Sequence, residues 1–487
     1  MESSRHLVFI PWPLMGHIQI VELAKLIIDR EPRISVTVLL MQLPSYKDTV
    51  SSSFLDSLSA TGSASTTTDR LKFLELPPAN PTAEWNSKTR GYFVHNLVLS
   101  QKSNVEDFVK SHKPNVVGFV VDMLCTGMID VAEKFQLPSY VFFASPASFL
   151  GSMLHFQTLQ DEKNQDVTEF ENSNLHVLIP SFENPVPANV LSDVLVDKDL
   201  WFGRFLDHAR GYRKAKAIIV NTFEDLESYA LSSFSTAYGR SMVPPVYSVG
   251  SILNRTPHPK DTDDSIMKWL DEQSAGSVVF LCFGSQGGLS ADQVKELAGG
   301  LERSGCRFLW SLRRLSEKGK KAEFPSEYSD FGPVLPEGFL VRTAGVGKVV
   351  GWVPQVRVLS HPAVGGFVSH CGWNSVLESI WCGVPIGTWP LHAEQKMNAF
   401  QLVKELGLGV EICWDDEPIV TAEEIERGLR KLMEIEDEAR KKVKEMEEKS
   451  RMSMEQDGSS YTSLGRLIHH IMTNYETGSS NQDESRP

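Results

Sequence analysis

Gly365-Gly366-Phe367-Val368-Ser369-His370-Cys371-Gly372-Trp373-Asn374-Ser375 passes from an apolar run, through a short turn, into the polar start of a helix. The run reads as a buried strand ending at Ser369, and the helix as Asn374–Trp381. Strand, tight turn and helix form the repeating unit of a parallel α/β sheet, with the helix N-terminus at the carboxyl edge. Free N–H groups and the positive helix end suit a diphosphate there. His370 can donate to a phosphate oxygen, and Asn374 and Ser375 add polar contacts. Glu378, one turn on, reaches a ribose hydroxyl. Taken alone, the segment is equally well an ordinary strand-to-helix turn with a capping Asn.

The flanks change that balance. Gly351-Trp352-Val353-Pro354-Gln355 follows a strand candidate at Gly347–Gly351, and Trp389-Pro390-Leu391-His392-Ala393-Glu394-Gln395 ends another at Pro385–Trp389. An indole stacks on a planar base, and a glutamine reads ring or ribose groups. Glu394 and Gln395 offer groups suited to sugar hydroxyls. Base stack, phosphate donors, ribose acceptor and sugar contacts thus fall on neighbouring strand ends.

The same alternation runs along the chain. In the first half it predicts strands at His6–Ile10, Ser35–Leu40, Val116–Val121, Ser139–Phe143 and Ala217–Asn221, with a crossover helix at Ile20–Arg30. In the second half Ser277–Phe283 and Arg307–Leu312 complete the strand set, with a helix at Ala291–Ser304. Residues 246–264, rich in proline and aspartate, read as a linker between domains 1–245 and 265–460. Ala422–Ser450 reads as one long helix opened by a Thr421/Glu424 capping box. Residues 461–475 read as a helix that packs back on the first domain, and 476–487 as a disordered tail.

With 487 residues and 41% hydrophobic side chains the chain suits two globular domains. A formal net charge of −14 disfavours nucleic acid and anionic membranes as partners. No stretch is long enough to span a bilayer, and the start lacks the pattern of a signal peptide. None of the six cysteines forms a CxxC pair, so they read as free thiols of a reducing compartment, the cytoplasm. Asn254-Arg255-Thr256 is a chance sequon in that setting. Asp197-Lys198-Asp199 and Asp261-Thr262-Asp263 read as solvated charge, so no metal site is expected.

The segment Trp352 to Gln395 closely resembles the C-terminal signature box of plant family 1 UDP-glycosyltransferases. The likeness extends to Pro11-Trp12-Pro13-Leu14-Met15-Gly16-His17, to Val220-Asn221-Thr222-Phe223-Glu224-Asp225-Leu226-Glu227, to Phe283-Gly284-Ser285 and to Gly458-Ser459-Ser460. It implies a GT-B fold, two Rossmann-like domains with parallel sheets facing a central cleft. The first would bind the acceptor and the second the UDP-sugar. Trp352 would stack on uracil, with Val353 beside it and Gln355 on the nucleoside. Glu378 would hold the ribose. Ser285, His370, Gly372, Asn374 and Ser375 would hold the diphosphate, and Trp373, Glu394 and Gln395 would face the sugar. A final Gln resembles members that prefer glucose.

His17 would be the general base and Asp122 its partner, in an inverting displacement that needs no metal or other cofactor. Met15, Tyr92, Met123, Phe149, Phe202 and His392 would wall the acceptor pocket. The overall style resembles group E enzymes acting on flavonoids, phenylpropanoids and terpenoids, and the chain is expected to be a monomer. Three departures stand out: Ala144 where many relatives carry a Thr on the sugar 6-hydroxyl, Gln286 where Met is common, and His392 where a Tyr is common. Other donors (UDP-xylose, UDP-galactose) and a binding protein without chemistry stay open. A nicotinamide enzyme is disfavoured, because no G-x-G-x-x-G follows the first strand.

Overall fold

The computed structural model describes residues 5–13, 17–42, 69–82, 85, 90–112, 115–170, 173–197, 201–236, 243–253, 264–285, 287–315, 326–413, 419–435 and 437–483. Met15, Gln286, the sequon and the second acidic pair lie outside these residues, as do Lys198 and Asp199 of the first. So do most of the expected linker and residues 484–487.

Two parallel sheets organise the chain. The first holds β1 (Arg5–Ile10), β2 (Ile34–Leu40), β3 (Leu71–Glu75), β4 (Val116–Asp122), β5 (Ser139–Phe143), β6 (Ala217–Val220) and β7 (Val246–Ser248). Their order is β3-β2-β1-β4-β5-β6-β7, every neighbour parallel. The second holds β8 (Val278–Cys282), β9 (Arg307–Ser311), β10 (Gly347–Val350), β11 (Val364–Ser369), β12 (Ile386–Thr388) and β13 (Gly409–Glu411), in the order β10-β9-β8-β11-β12-β13. These too are all parallel. In each sheet the order reverses direction beside the first strand, which opens a crevice at the carboxyl edge. Central strands β4 and β8 are buried along their whole length, so they read as unbroken apolar runs.

The helices that matter below are α1 (His17–Arg30), α2 (Arg90–Ser100), α3 (Ala147–Lys163), α4 (Phe202–Lys214), α5 (Ala291–Ser304), α6 (Gln355–Leu359), α7 (Trp373–Trp381), α8 (Gln395–Phe400), α9 (Ala422–Met433), α10 (Asp437–Met454) and α11 (Ser459–Asp483). α5 shows why such segments fold as they do. Ser290 accepts from the Gln293 N–H at its start, Gly305 ends it with φ 67°, and its apolar stripe meets α9. The Thr421/Glu424 capping box is present at the head of α9.

Three expectations need correction. Val246–Ser248 is not linker but the edge strand of the first sheet. Pro245 still presents a carbonyl, which accepts from Ile218 N–H at 2.9 Å, and an edge strand tolerates the missing donor. The helix expected over 422–450 is two, because Arg440 donates to the Met433 carbonyl at 2.7 Å and closes the end of α9. The final helix runs past 475 to Asp483: no proline interrupts it, and a helix once nucleated by packing propagates cheaply. Leu464, Leu467, Ile468 and Ile471 of α11 are buried with Ile20, Leu23 and Ile27 of α1 against the first sheet. Among the described residues no helix is long and apolar enough to cross a membrane.

Candidate active site

At the carboxyl end of β11 the chain turns through Cys371 in the left-handed region (φ 61°) and enters α7 from Gly372 (φ −61°, ψ 135°). Gly372 has no side chain to cap the helix, so the first-turn amides face the crevice uncapped. The His370 ring sits between two glycines. A Cβ on Gly284 would lie 2.6 Å from it, and one on Gly372 2.4 Å from Nε2. Gly284, two residues past β8, has φ 76°, so it serves both the turn before Ser285 and the close approach. Burial first, then the nearby His392, pushes the His370 pKa down to about 3, against a raising contact with the Cys282 backbone. The ring is therefore neutral at working pH, with one nitrogen a donor and the other an acceptor. Its Nδ1 and the Oδ1 of Asn374 are buried without a partner among the described residues, two polar atoms at the mouth of one helix.

Gln355, at the start of α6, donates to Ser375 Oγ at 2.9 Å and to Glu378 Oε2 at 2.7 Å. Burial lifts the Glu378 pKa to about 7, with the Gln355 bond opposing. A half-titrated carboxyl with an amide on one oxygen can accept from a vicinal diol on the other. Trp352 and Val353 precede α6; Val353 is buried and Trp352 half-buried.

The loop after β12 carries the last pair. Gln395 Oε1 accepts from Leu391 N–H (2.9 Å) and His392 N–H (3.0 Å), shaping a turn in which Ala393 takes φ 56°. With its oxygen engaged, Gln395 offers a ligand its NH₂ group. Glu394 Oε1 accepts from Ser145 Oγ at 2.9 Å, and burial raises its pKa.

On the facing half, Asp122 closes β4 and is 3% exposed. Burial lifts its pKa to about 7, opposed by one hydrogen bond from Leu124 N–H at 2.9 Å. β1 and β4 are hydrogen-bonded neighbours, Ile10 opposite Val121. His17 is the first residue of α1, which follows β1, so both residues issue from adjacent strand ends. The His17 side chain itself lies outside what is described.

Some expected contacts are placed elsewhere. Trp373 buries its indole at 3% exposure, and Nε1 donates to the Asn221 carbonyl at 2.7 Å. Phe149 is 1% exposed, packed against Phe143 and Phe205, and belongs to the core. Met123 and Phe202 are nearly buried. Tyr92 lies under the Arg204 guanidinium at 4.4 Å, and His392 is exposed.

The residues missed by sequence reasoning join the two halves. Glu227 accepts from the first N–H groups of α3, Ala147 (2.8 Å) and Ser148 (2.9 Å), and from Gln401 Nε2 at 3.3 Å. Ser148 Oγ donates to Gln401 Oε1 at 3.0 Å, and Ser192 Oγ to the Ala393 carbonyl at 2.7 Å. Asn221 exchanges two bonds with the Ile252 backbone. Asn221 and Glu227 belong to a stretch that the resemblance singled out; polar residues inside an apolar context were the available signal. Among the described residues no three His, Cys, Asp or Glu side chains gather as a metal set.

Residues 219–454 match the family model described as UDP-glucoronosyl and UDP-glucosyl transferase. The chain is 48% identical to UDP-glucose flavonoid 3-O-glucosyltransferase 6 of Fragaria ananassa, over 97% of this chain and all of that protein. It is also 48% identical to UDP-glycosyltransferase 71A15 of Malus domestica, with the same coverage. Among solved structures, a UGT transferase from Siraitia grosvenorii in complex with UDP superposes with a TM-score of 0.87 at 45% identity, covering 96% of this chain and 99% of that one. Medicago truncatula UGT71G1 complexed with UDP-glucose gives 0.84 at 40% identity, covering 96% and 98%.

Proposed function

The chain belongs to the UDP-glucoronosyl and UDP-glucosyl transferase family, and from that premise we propose that it transfers glucose from UDP-glucose to a hydroxyl of a small plant metabolite, a flavonoid, phenylpropanoid or terpenoid. The product is a β-O-glucoside. The observation that carries the donor half is the set Gln355, Ser375, Glu378, His370 and Asn374 around one uncapped helix end. Trp352 stacks on the uracil with Val353 beside it, and Gln355 meets the nucleoside. Glu378 takes the ribose, while Ser285, His370, Asn374, Ser375 and the backbone at Gly372 take the diphosphate. Glu394 and Gln395 take the sugar, joined by the Trp373 backbone.

His17 removes the acceptor proton and Asp122 stabilises the resulting imidazolium. The freed oxygen attacks the anomeric carbon from the face opposite the leaving group. That bond forms as the bond to the diphosphate breaks, so the α-linked donor gives a β-linked product. Negative charge then grows on the diphosphate, where the positive end of α7 and the neutral His370 donor await it. The scheme uses no metal. Six free cysteines suit a reducing compartment, and we place the enzyme in the cytoplasm as a monomer.

The test is a mass-spectrometric screen of plant phenolics and terpenoids with UDP-glucose, UDP-xylose and UDP-galactose. A mass gain of one hexose from UDP-glucose supports the reading. Product from another donor alone would replace the sugar assignment, and no product from any would sink it. His17→Ala should abolish transfer and leave UDP affinity nearly intact; full activity in that variant would remove His17 from its role.

A further inference from the structure

A second concave site lies far from this crevice. It runs along the outer stripe of α11, between the end of α1 and the edge strand β7, as a groove of about 730 Å³ that is broadly open to solvent. That is the size of a small-molecule site. Two guanidiniums and two imidazoles line it, Arg30, Arg466, His469 and His470, together with the rings of Tyr247 and Tyr461. The other described lining residues are two threonines and a glycine, so among the described residues no carboxylate enters this site, on a chain whose net charge is −14. A cationic recess on an acidic protein concentrates the potential that selects an anion.

The recess is also ordered in advance. The Arg30 guanidinium stacks on the Tyr461 ring at 3.6 Å and donates to the Tyr461 carbonyl, which fixes its plane. A guanidinium held in this way loses little freedom when it forks onto an oxyanion. On the opposite wall His470 Nδ1 and the Tyr247 hydroxyl share a hydrogen bond at 3.1 Å, which leaves the tyrosine ring as a set face. Burial, with Lys216 and His469 nearby, lowers the His470 pKa, so this imidazole is neutral and the positive charge of the groove is that of Arg30 and Arg466.

We propose that this groove binds a small aromatic phosphate ester, its phosphate on Arg30 and Arg466 and its ring against Tyr247 or Tyr461. The ligand would tie α11 to the last turn of α1. That helix begins at His17, thirteen residues and roughly 20 Å away, so the site is separate from the crevice.

The full chain, first saturated with UDP to fill the donor cradle, is titrated calorimetrically with phenyl phosphate. Binding should be sub-millimolar, and inorganic phosphate and phenol should each bind more weakly. Arg466 is exposed, so Arg466→Glu should fold normally, retain UDP affinity and weaken phenyl phosphate by at least about tenfold. Arg30→Gln should weaken it by a similar factor. No binding by the unaltered protein would overturn the proposal. So would binding that Arg466→Glu leaves unchanged, which would place the ligand in the crevice. Inorganic phosphate binding as tightly as phenyl phosphate would remove the aromatic part.

Discussion

Ser145 Oγ donates to Glu394 Oε1 at 2.9 Å, joining the loop before α3 to the loop before α8 across the two halves. Burial raises the Glu394 pKa, and this hydroxyl works against that by favouring the charged form. The carboxylate proposed to meet the sugar is therefore aimed by the opposite half of the molecule. Ser145→Ala removes a hydrogen bond to a carboxylate, worth about 1–2 kcal/mol. KM for UDP-glucose should rise roughly 5- to 30-fold by that measure, while the Kd for UDP, which lacks the sugar, stays put. Equal losses for UDP and UDP-glucose would mean that Ser145 serves only the domain junction.

Gln395 allows its two ends to be tested apart. Its oxygen holds Leu391 N–H and His392 N–H, so only the NH₂ remains to donate. Gln395→Glu keeps an acceptor for the loop and deletes the donor. Transfer from UDP-glucose should fall by at least about tenfold, the loss of one good hydrogen bond, with the melting temperature nearly unchanged. Gln395→Ala should lower both activity and the melting temperature, the latter by about 2–4 °C. Thermal melts beside donor kinetics distinguish the cases. Full activity in Gln395→Glu would exclude a donating role.

Much of this was legible in the sequence, and the gaps have a physical pattern. Strands β4, β8 and β11 announce themselves because central parallel strands are continuous apolar runs ended by turns. Gln355, Ser375 and Glu378 could be grouped because they flank one strand and helix. Trp373 misled because its direction depends on Asn221, which is 152 residues away in sequence. Phe149 misled because nothing local separates a pocket wall from a core ring. Ser145 and Glu394 are 249 residues apart, and no periodicity couples them. β7 is not legible because the proline just before it, Pro245, looks like linker until its carbonyl is known to accept from Ile218 at the sheet edge. The roles of His17 and Asp122 came from family resemblance, since neither residue is distinctive in its own segment.

Gly372→Ala isolates the fit of His370. At φ −61° an alanine is unstrained, so any effect comes from its methyl group. That methyl would stand 2.4 Å from His370 Nε2, and the ring must move. UDP affinity should fall at least about tenfold, as for a lost charge-assisted bond, with little change in melting temperature. Calorimetry with UDP is the measurement. Unchanged affinity would take His370 away from the diphosphate.

Glu378 gives a pH signature with a defined sign. Burial lifts its pKa from 4.5 to about 7, so in the unliganded protein it carries a proton below neutrality. If its carboxylate accepts from the ribose, UDP must expel that proton. Affinity should then be flat above pH 8 and weaken below pH 7, approaching tenfold per unit. Proton release, read by calorimetry in buffers of different ionisation heat, should approach one per UDP at pH 6 after the nucleotide's own titration is subtracted with Glu378→Gln. Stability of the unliganded protein runs in the opposite sense. The folded protein holds this proton more tightly than the unfolded chain, so stability is greatest below pH 4.5 and is lost as pH rises through 7. Without UDP, Glu378→Gln should therefore melt higher than the parent at pH 8, by up to about 3 kcal/mol, and match it at pH 4. A parent whose UDP affinity ignores pH between 6 and 8 would show that Glu378 does not accept from the ribose, and the ribose assignment would fall.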